Sequence, residues 1–334
     1  MKAFVIQRPG HAAVETVPAP IPADRDMLLK VRMVGFCGSD LNSFRGLNPL
    51  VSFPRVPGHE VSATILEGDD ELRAGMDVAL YPYTSCGQCS SCRLGRQNAC
   101  QFNQTLGVQR DGALAEFVAM PPEKLYPAKL TVKELCLVEP LTVGFHAVAR
   151  GSVTRNDTVA IFGCGGVGLG ALAAAAVRGA RVIGVDVDDE KLELARAAGA
   201  SITINSARES LHHRLLELTE GRGPNVVIEA VGSPATFRAA VEEVCFAGRV
   251  VYIGYAKEPV SYETKFFVQK ELDIRGSRNA LPEDFREVIR FLEAGRFPVD
   301  DAVSSIVSLD EAPNALRCWS ENPSRFHKIL VSLD

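Results

Sequence analysis

Four cysteines, Cys86, Cys89, Cys92 and Cys100, crowd into the run CGQCSSCRLGRQNAC. Four thiolates hold one zinc ion tetrahedrally at about 2.3 Å, and two-residue gaps let a reversing loop turn successive sulfurs toward it. Gly87 and Gly95 allow tight turns, and Gln88, Ser90 and Ser91 suit a surface lobe with no core of its own. Protein groups would fill every position of that zinc, which makes it structural and puts the chemistry elsewhere. Cys37 in GFCGSD and His59 in VPGHE are the other candidates for metal ligands, each flanked by glycine and followed by a carboxylate, Asp40 and Glu60. A metal-bound imidazole commonly gives its second N–H to a carboxylate, and Asp40 suits that role. These four residues alone do not establish a site.

A second kind of chemistry is written in VAIFGCGGVG. Gly163, Gly165 and Gly168 form GxGxxG, with Gly166 and Val167 between the last two. The first glycine permits a tight turn, the second lets backbone approach a pyrophosphate, and the third lets helix pack on strand. The following helix N-terminus offers free N–H groups to phosphates. Asp186 ends RVIGVD about 20 residues later, where a carboxylate takes the adenosine ribose hydroxyls. A 2′-phosphate would meet that charge, and no arginine immediately follows it, so NAD is preferred over NADP. Lys191 is placed to support the ribose from the next helix.

Two textures of sequence must position these residues. From Met1 to about Leu141 the chain is rich in valine, glycine and proline. Alternating runs at Met27 to Val34 and Val61 to Leu66 predict short strands of a β-rich domain. After Pro140, apolar strands alternate with alanine-rich helices. Strands are expected at Asp157 to Phe162, Arg181 to Val185, Asn225 to Val231 and Arg249 to Tyr255, and helices at Val167 to Arg178, Glu190 to Ala198 and Pro234 to Phe246. This alternation predicts an α/β, doubly wound parallel sheet. A helix over Pro282 to Gly295 and a strand over His327 to Leu333 return to the first domain. The expected division is 1–141 with 277–334 for the metal-bearing domain and 142–276 for the dinucleotide domain.

Composition narrows the function. The 334 residues carry a formal charge of -5, with 46% hydrophobic and 23% charged residues. This is ordinary globular composition, which excludes disorder and collagen-like structure. The acidic balance lacks the footprint that nucleic acid or anionic membrane demands, so a small-molecule substrate is expected. The start MKAFVIQRPG has too short an apolar run for a signal peptide, and Leu169 to Val177 is too short to span a bilayer. A cytoplasmic location is therefore expected, and nine cysteines without an export signal point to thiolate chemistry or burial.

CGSD, GHE, the four-cysteine loop, EPL at Glu139 to Leu141 and GCGGVG occur in the order found in zinc-dependent medium-chain alcohol dehydrogenases, which this chain resembles over essentially its whole length. Glu139 in VEPLTVGFHAV is similar to the sorbitol dehydrogenase branch, where glutamate replaces a cysteine ligand. The resemblance implies a GroES-like catalytic domain beside a Rossmann domain, and two zinc ions per chain. The catalytic zinc would be held by Cys37, His59 and a carboxylate, with Glu60 favoured as direct ligand and Glu139 as near neighbour, the two being able to exchange. It further implies that Ser39 accepts the alcohol proton, with a helix N-cap as its alternative role and both together possible, and that the chain forms a dimer or tetramer. The family often continues the proton relay through a histidine three residues later; here Asn42 stands there and does not titrate near neutral pH.

Arg110 in GVQRDGALAEF and Arg278 in GSRNA hint at a sugar-acid substrate, because guanidinium groups bind carboxylates through paired hydrogen bonds. Asn279 adds a candidate hydroxyl contact. Both segments resemble those of bacterial hexonate dehydrogenases acting on L-galactonate or L-gulonate, with neutral polyols and threonine as alternatives. A zinc-ribbon nucleic-acid module would leave Cys37, His59 and the glycine loop unexplained. An NAD-binding redox sensor without turnover is the non-enzymatic alternative.

Overall fold

The computed structural model describes residues 1–334, the side chain of Ser324 excepted. Two compact units share the chain: Met1–Glu139 with Leu281–Gly295 and Val299–Asp334, and Pro140–Ala280 with Arg296–Pro298.

In the first unit a sheet runs in the order Ser305–Ser308, Ile329–Ser332, Met27–Gly35, Glu60–Ile65, Asp77–Leu80, Leu125–Pro127, and Phe117–Met120 also pairs with Met27–Gly35. Along Met27–Gly35 the side chains of Met27, Leu29 and Val31 point inward with period two. The register then shifts between Val31 and Met33, so that Val34 and Gly35 also lie inside. Such a bulge re-aims the end of a strand, and here the strand leads to Phe36 and Cys37. Phe4, Leu29, Phe36, Ile65, Leu80 and Met120 fill the core beneath the sheet. Burying each is worth about 1.5–3 kcal/mol.

The second unit contains six parallel strands in the order Ile202–Asn205, Arg181–Asp186, Thr158–Phe162, Val226–Glu229, Arg249–Tyr252, Asp273–Gly276. The order reverses at Thr158–Phe162 and Val226–Glu229, and ligands of such sheets bind beyond the strand ends at that point. The fold is thus a β-rich domain with a doubly wound parallel sheet, as the sequence predicts. The strands Ile202–Asn205 and Asp273–Gly276 and the helices Leu211–Leu218 and Lys265–Gln269 escape a reading from periodicity. They are four to eight residues long, and each carries too few apolar positions to establish a period.

One long helix is also unforeseen. Val132–Arg150 continues through Pro140, and the division between the units falls there. Proline inside a helix removes one hydrogen bond and normally kinks or breaks it, which is why the sequence reads as a boundary. Beyond the proline, a Cβ on Gly144 would lie 2.2 Å from the Ala171 nitrogen, and one on Gly170 would lie 2.7 Å from the Leu141 oxygen. Glycine at both positions lets this helix touch the backbone of Gly166–Val177, the helix that follows the glycine loop.

Candidate active site and metal centres

The four clustered cysteines are free, and their ligand atoms lie within 4.8 Å of one another. Sulfur separations are 3.4 Å for Cys89–Cys92, 3.8 Å for Cys89–Cys100 and 3.6 Å for Cys86–Cys100. A tetrahedron with metal–sulfur bonds of about 2.3 Å has edges of about 3.8 Å, so the lobe fits zinc. Backbone N–H groups already point at sulfur: Cys89 donates to Cys86 at 3.4 Å, and Phe102 to Cys100 at 3.3 Å. The Ser91 hydroxyl and nearby N–H groups pull the Cys89 thiol down to about 5, the thiolate state that a metal requires.

Cys37, His59 and Glu60 form the second group, with ligand atoms within 4.8 Å. Cys37 ends the approach from Met27–Gly35 and caps the helix Gly38–Phe44, while the Asp40 side chain bonds back to the Cys37 N–H at 2.8 Å. Ser39 is therefore not the N-cap, and its hydroxyl oxygen is buried without a partner. His59 and Glu60 follow Gly58, whose φ of +104° a side chain would strain and whose Cβ would strike Val34 at 2.8 Å. Asp40 faces the imidazole, yet its Oδ1 lies 3.9 Å from His59 Nδ1 and both atoms lack a partner. That separation is too long for the hydrogen bond expected from the sequence. Two orphaned buried atoms behind three convergent ligands fit a three-ligand zinc site with an open fourth position.

Glu60 has a partner that sequence reasoning missed. Lys328, buried on the last strand's approach, donates to Glu60 Oε1 at 2.7 Å, to Oε2 at 2.6 Å and to the Phe36 carbonyl at 3.2 Å. A Cβ on Gly35 would lie 2.2 Å from Glu60 Oε2, so glycine leaves room for the carboxylate. A lysine just before the apolar run Ile329–Val331 is the only local signal, and it names no partner 268 residues away. Glu139 stands outside the group of three ligands. It is buried, accepts a hydrogen bond from the Tyr83 hydroxyl, and is pushed up to about 7, chiefly by burial.

In the second unit, Gly163 has φ +92°, and Gly165 is the N-cap of Gly166–Val177, with nothing within 4 Å of a Cβ there. Gly166 and Val167 open that helix. Asp186 is held by backbone donors: Cys164 N–H to Oδ2 at 2.8 Å, Val187 N–H to Oδ1 at 2.8 Å and Asp188 N–H to Oδ1 at 3.2 Å. These bonds keep the carboxylate at the end of its strand beside the glycine turn, the arrangement that suits a dinucleotide. Lys191 lies in the first turn of the next helix, where its N–H reaches Asp188 at 3.3 Å. A Cβ on Gly168 would lie 1.8 Å from the Gly163 oxygen, which is backbone and cannot turn away. Gly168→Ala is expected to cost about 3 kcal/mol or more and to weaken NADH binding at least tenfold. Thermal unfolding and NADH fluorescence titration check this, and an unchanged dissociation constant would refute the assignment of the loop.

Of the residues expected to meet substrate, Arg278 and Asn279 follow the strand Asp273–Gly276. Asn279 has a left-handed φ of 52°, and both residues interact with neighbours. Arg110 differs: its Nε and Nη2 are buried without hydrogen-bond partners.

Two family models cover most of the chain: the alcohol dehydrogenase GroES-like domain at residues 23–130 and the zinc-binding dehydrogenase at residues 166–294. The L-galactonate-5-dehydrogenase of Escherichia coli K12 is 32% identical over 90% of this chain and 89% of its own length. The sorbitol dehydrogenase of Bacillus subtilis 168 is 32% identical over 99% and 97%. The chain belongs to the zinc-type medium-chain alcohol dehydrogenase family. This zinc-type dehydrogenase is an alcohol oxidoreductase of the polyol and sugar-acid branch. An alcohol dehydrogenase of Escherichia coli CFT073, solved with its cofactor NADH, superposes with TM-score 0.92 at 29% identity, covering 100% of this chain and 99% of that one. Among the described residues, no helix is long and apolar enough to cross a membrane.

Proposed function

We propose that this zinc- and NAD-dependent dehydrogenase oxidises a secondary hydroxyl of a sugar acid, an aldonate such as L-galactonate or L-gulonate. The observation that carries the substrate reading is that Arg110 Nε and Nη2 are buried without hydrogen-bond partners. Buried donors without acceptors are costly, and a carboxylate relieves that cost through paired hydrogen bonds. Burial pulls the Arg110 pKa below its ordinary value, with Asp26 offsetting part of the effect. The adjacent acid, Asp111, does not serve it, being bound by Arg55 at 2.9 Å. The loop also lies beside the metal ligands. Gly112 N–H donates to the Val56 carbonyl at 2.7 Å, Ala113 N–H to Gly58 at 3.0 Å, and His59 follows directly. The Escherichia coli relative named for L-galactonate supports the reading, and the relative named for sorbitol keeps neutral polyols as the second reading.

Zinc held by Cys37, His59 and Glu60 supplies a Lewis acid for the substrate oxygen, and NAD supplies the hydride acceptor. The protein's own groups do the rest. Ser39 Oγ, released from capping by Cys37 and Asp40, takes up the alcohol proton. Asn42 cannot carry that proton onward, so it leaves by water or the cofactor ribose. Asp186 orients the cofactor by its adenosine ribose, and its charge selects against a 2′-phosphate.

The test is an initial-rate comparison, followed by NADH absorbance, of L-galactonate and L-gulonate with galactitol, sorbitol and threonine. Aldonate kcat/KM is expected to exceed that of the matching alditol about 100-fold. Arg110→Met should remove most of that preference while leaving alditol turnover within about threefold, since a charged hydrogen-bonded pair lost at a buried site costs about 2–5 kcal/mol. Equal rates for an aldonate and its alditol would reject the carboxylate reading.

A further inference from the structure

We infer that Tyr83 is a positioning residue of the catalytic metal centre, holding Glu139 one step back so that Glu60 alone faces Cys37 and His59. Besides Asp40 behind the imidazole, two glutamates are buried in this region, Glu60 at 1% exposure and Glu139 at 5%. Only Glu60 belongs to the group whose ligand atoms converge. The two are held by different devices. Glu60 is clamped through both oxygens by Lys328, whereas Glu139 Oε1 receives the Tyr83 hydroxyl. Glu139 feels the charges of both His59 and Glu60.

Tyr83 is itself fixed on three sides. Its ring meets Tyr81 edge-on at 5.2 Å and 90°, and Tyr81 in turn packs on Phe285 at 5.1 Å. Its backbone is paired with Thr105 in a two-stranded ladder. Lys124 donates to the Tyr83 carbonyl at 2.9 Å and to the Thr84 hydroxyl at 2.7 Å. A phenol locked in this way presents one donor in one direction, and a carboxylate accepting it loses freedom to turn. A fourth coordination position stays open for substrate only if the second carboxylate is kept off the metal.

The inference rests on the metal-site reading above. If that reading fails, the wild-type protein will hold no metal that Cys37→Ala removes, a result separate from the following test. Tyr83→Phe keeps the ring and its packing and deletes only the donor. Glu139, released, is expected to reach the metal. Zinc at the Cys37 site should then bind about tenfold tighter in competition with a chromophoric chelator, and the visible spectrum of the cobalt-substituted enzyme should change. KM for the alcohol should rise more than kcat falls. In a Glu139→Gln background the tyrosine substitution should alter neither affinity nor spectrum. Zinc affinity within twofold of wild type in Tyr83→Phe, or an equal shift in the Glu139→Gln background, would overturn the inference.

Discussion

Replacing Lys328 by methionine is expected to destabilise the metal-free protein by about 3–5 kcal/mol, the usual result of removing one partner from a buried ion pair. Glu60 would be left with no cation at 1% exposure, and the Phe36 carbonyl would lose its donor as well. Methionine matches the length of the lysine stem, so the change removes charge rather than volume. Zinc at the neighbouring ligands supplies a substitute positive charge, so the deficit should shrink when the site is loaded. The double variant Lys328→Met with Glu60→Gln should recover most of the loss, because neither side chain then carries an uncompensated charge. Urea unfolding of the loaded and metal-free forms measures all of this. A loss under about 1 kcal/mol in the metal-free single variant would mean that water reaches Glu60 and that the pair is not the anchor its geometry suggests.

Cys89→Ala should remove one zinc per chain and open the lobe. Residues 86–100 have little interior: Cys92, Asn98 and Cys100 are buried, while Leu94 is 76% exposed. Thiolate–metal bonding therefore supplies most of the lobe's stability, and in isolated zinc fingers it is worth about 10–16 kcal/mol. Losing even about 3 kcal/mol of it raises the open population about 100-fold, and cleavage follows that population. Trypsin should then cut after Arg93 or Arg96 at least about 100 times faster than in the wild type. The Rossmann unit, with its own core around Ile183, Val227 and Val250, should keep its NADH affinity. Unchanged zinc content with an unchanged digestion half-life would remove the structural role.

Much of this protein could be read before folding because its strongest signals are local. The spacing of Cys86, Cys89, Cys92 and Cys100 can be seen within one loop, since a short loop has few ways to arrange four thiols. The glycines at 163, 165 and 168 and the acid at 186 sit at fixed steps along a strand–turn–helix–strand path, so backbone sterics alone predict their use. Alternation along Met27–Gly35 likewise reveals a strand with one buried side, although it does not reveal the bulge that turns Val34 and Gly35 inward.

Contacts across long stretches of sequence decided the rest. Lys328 reaches Glu60 because the strand Ile329–Ser332 pairs with Met27–Gly35, which pairs with Glu60–Ile65. The chain from Tyr83 to Glu139 closes over a separation of 56 residues. Asp111, next to Arg110 in sequence, is bound instead by Arg55, 56 residues away. The sequence by itself determined which groups are able to bind metal and nucleotide, because residue type and near spacing suffice for that. Which glutamate converges with Cys37 and His59, which accepts the Tyr83 hydroxyl and which guanidinium nitrogens lack a partner was decided by the tertiary structure, because burial makes each charge depend on partners that folding brings from distant parts of the chain.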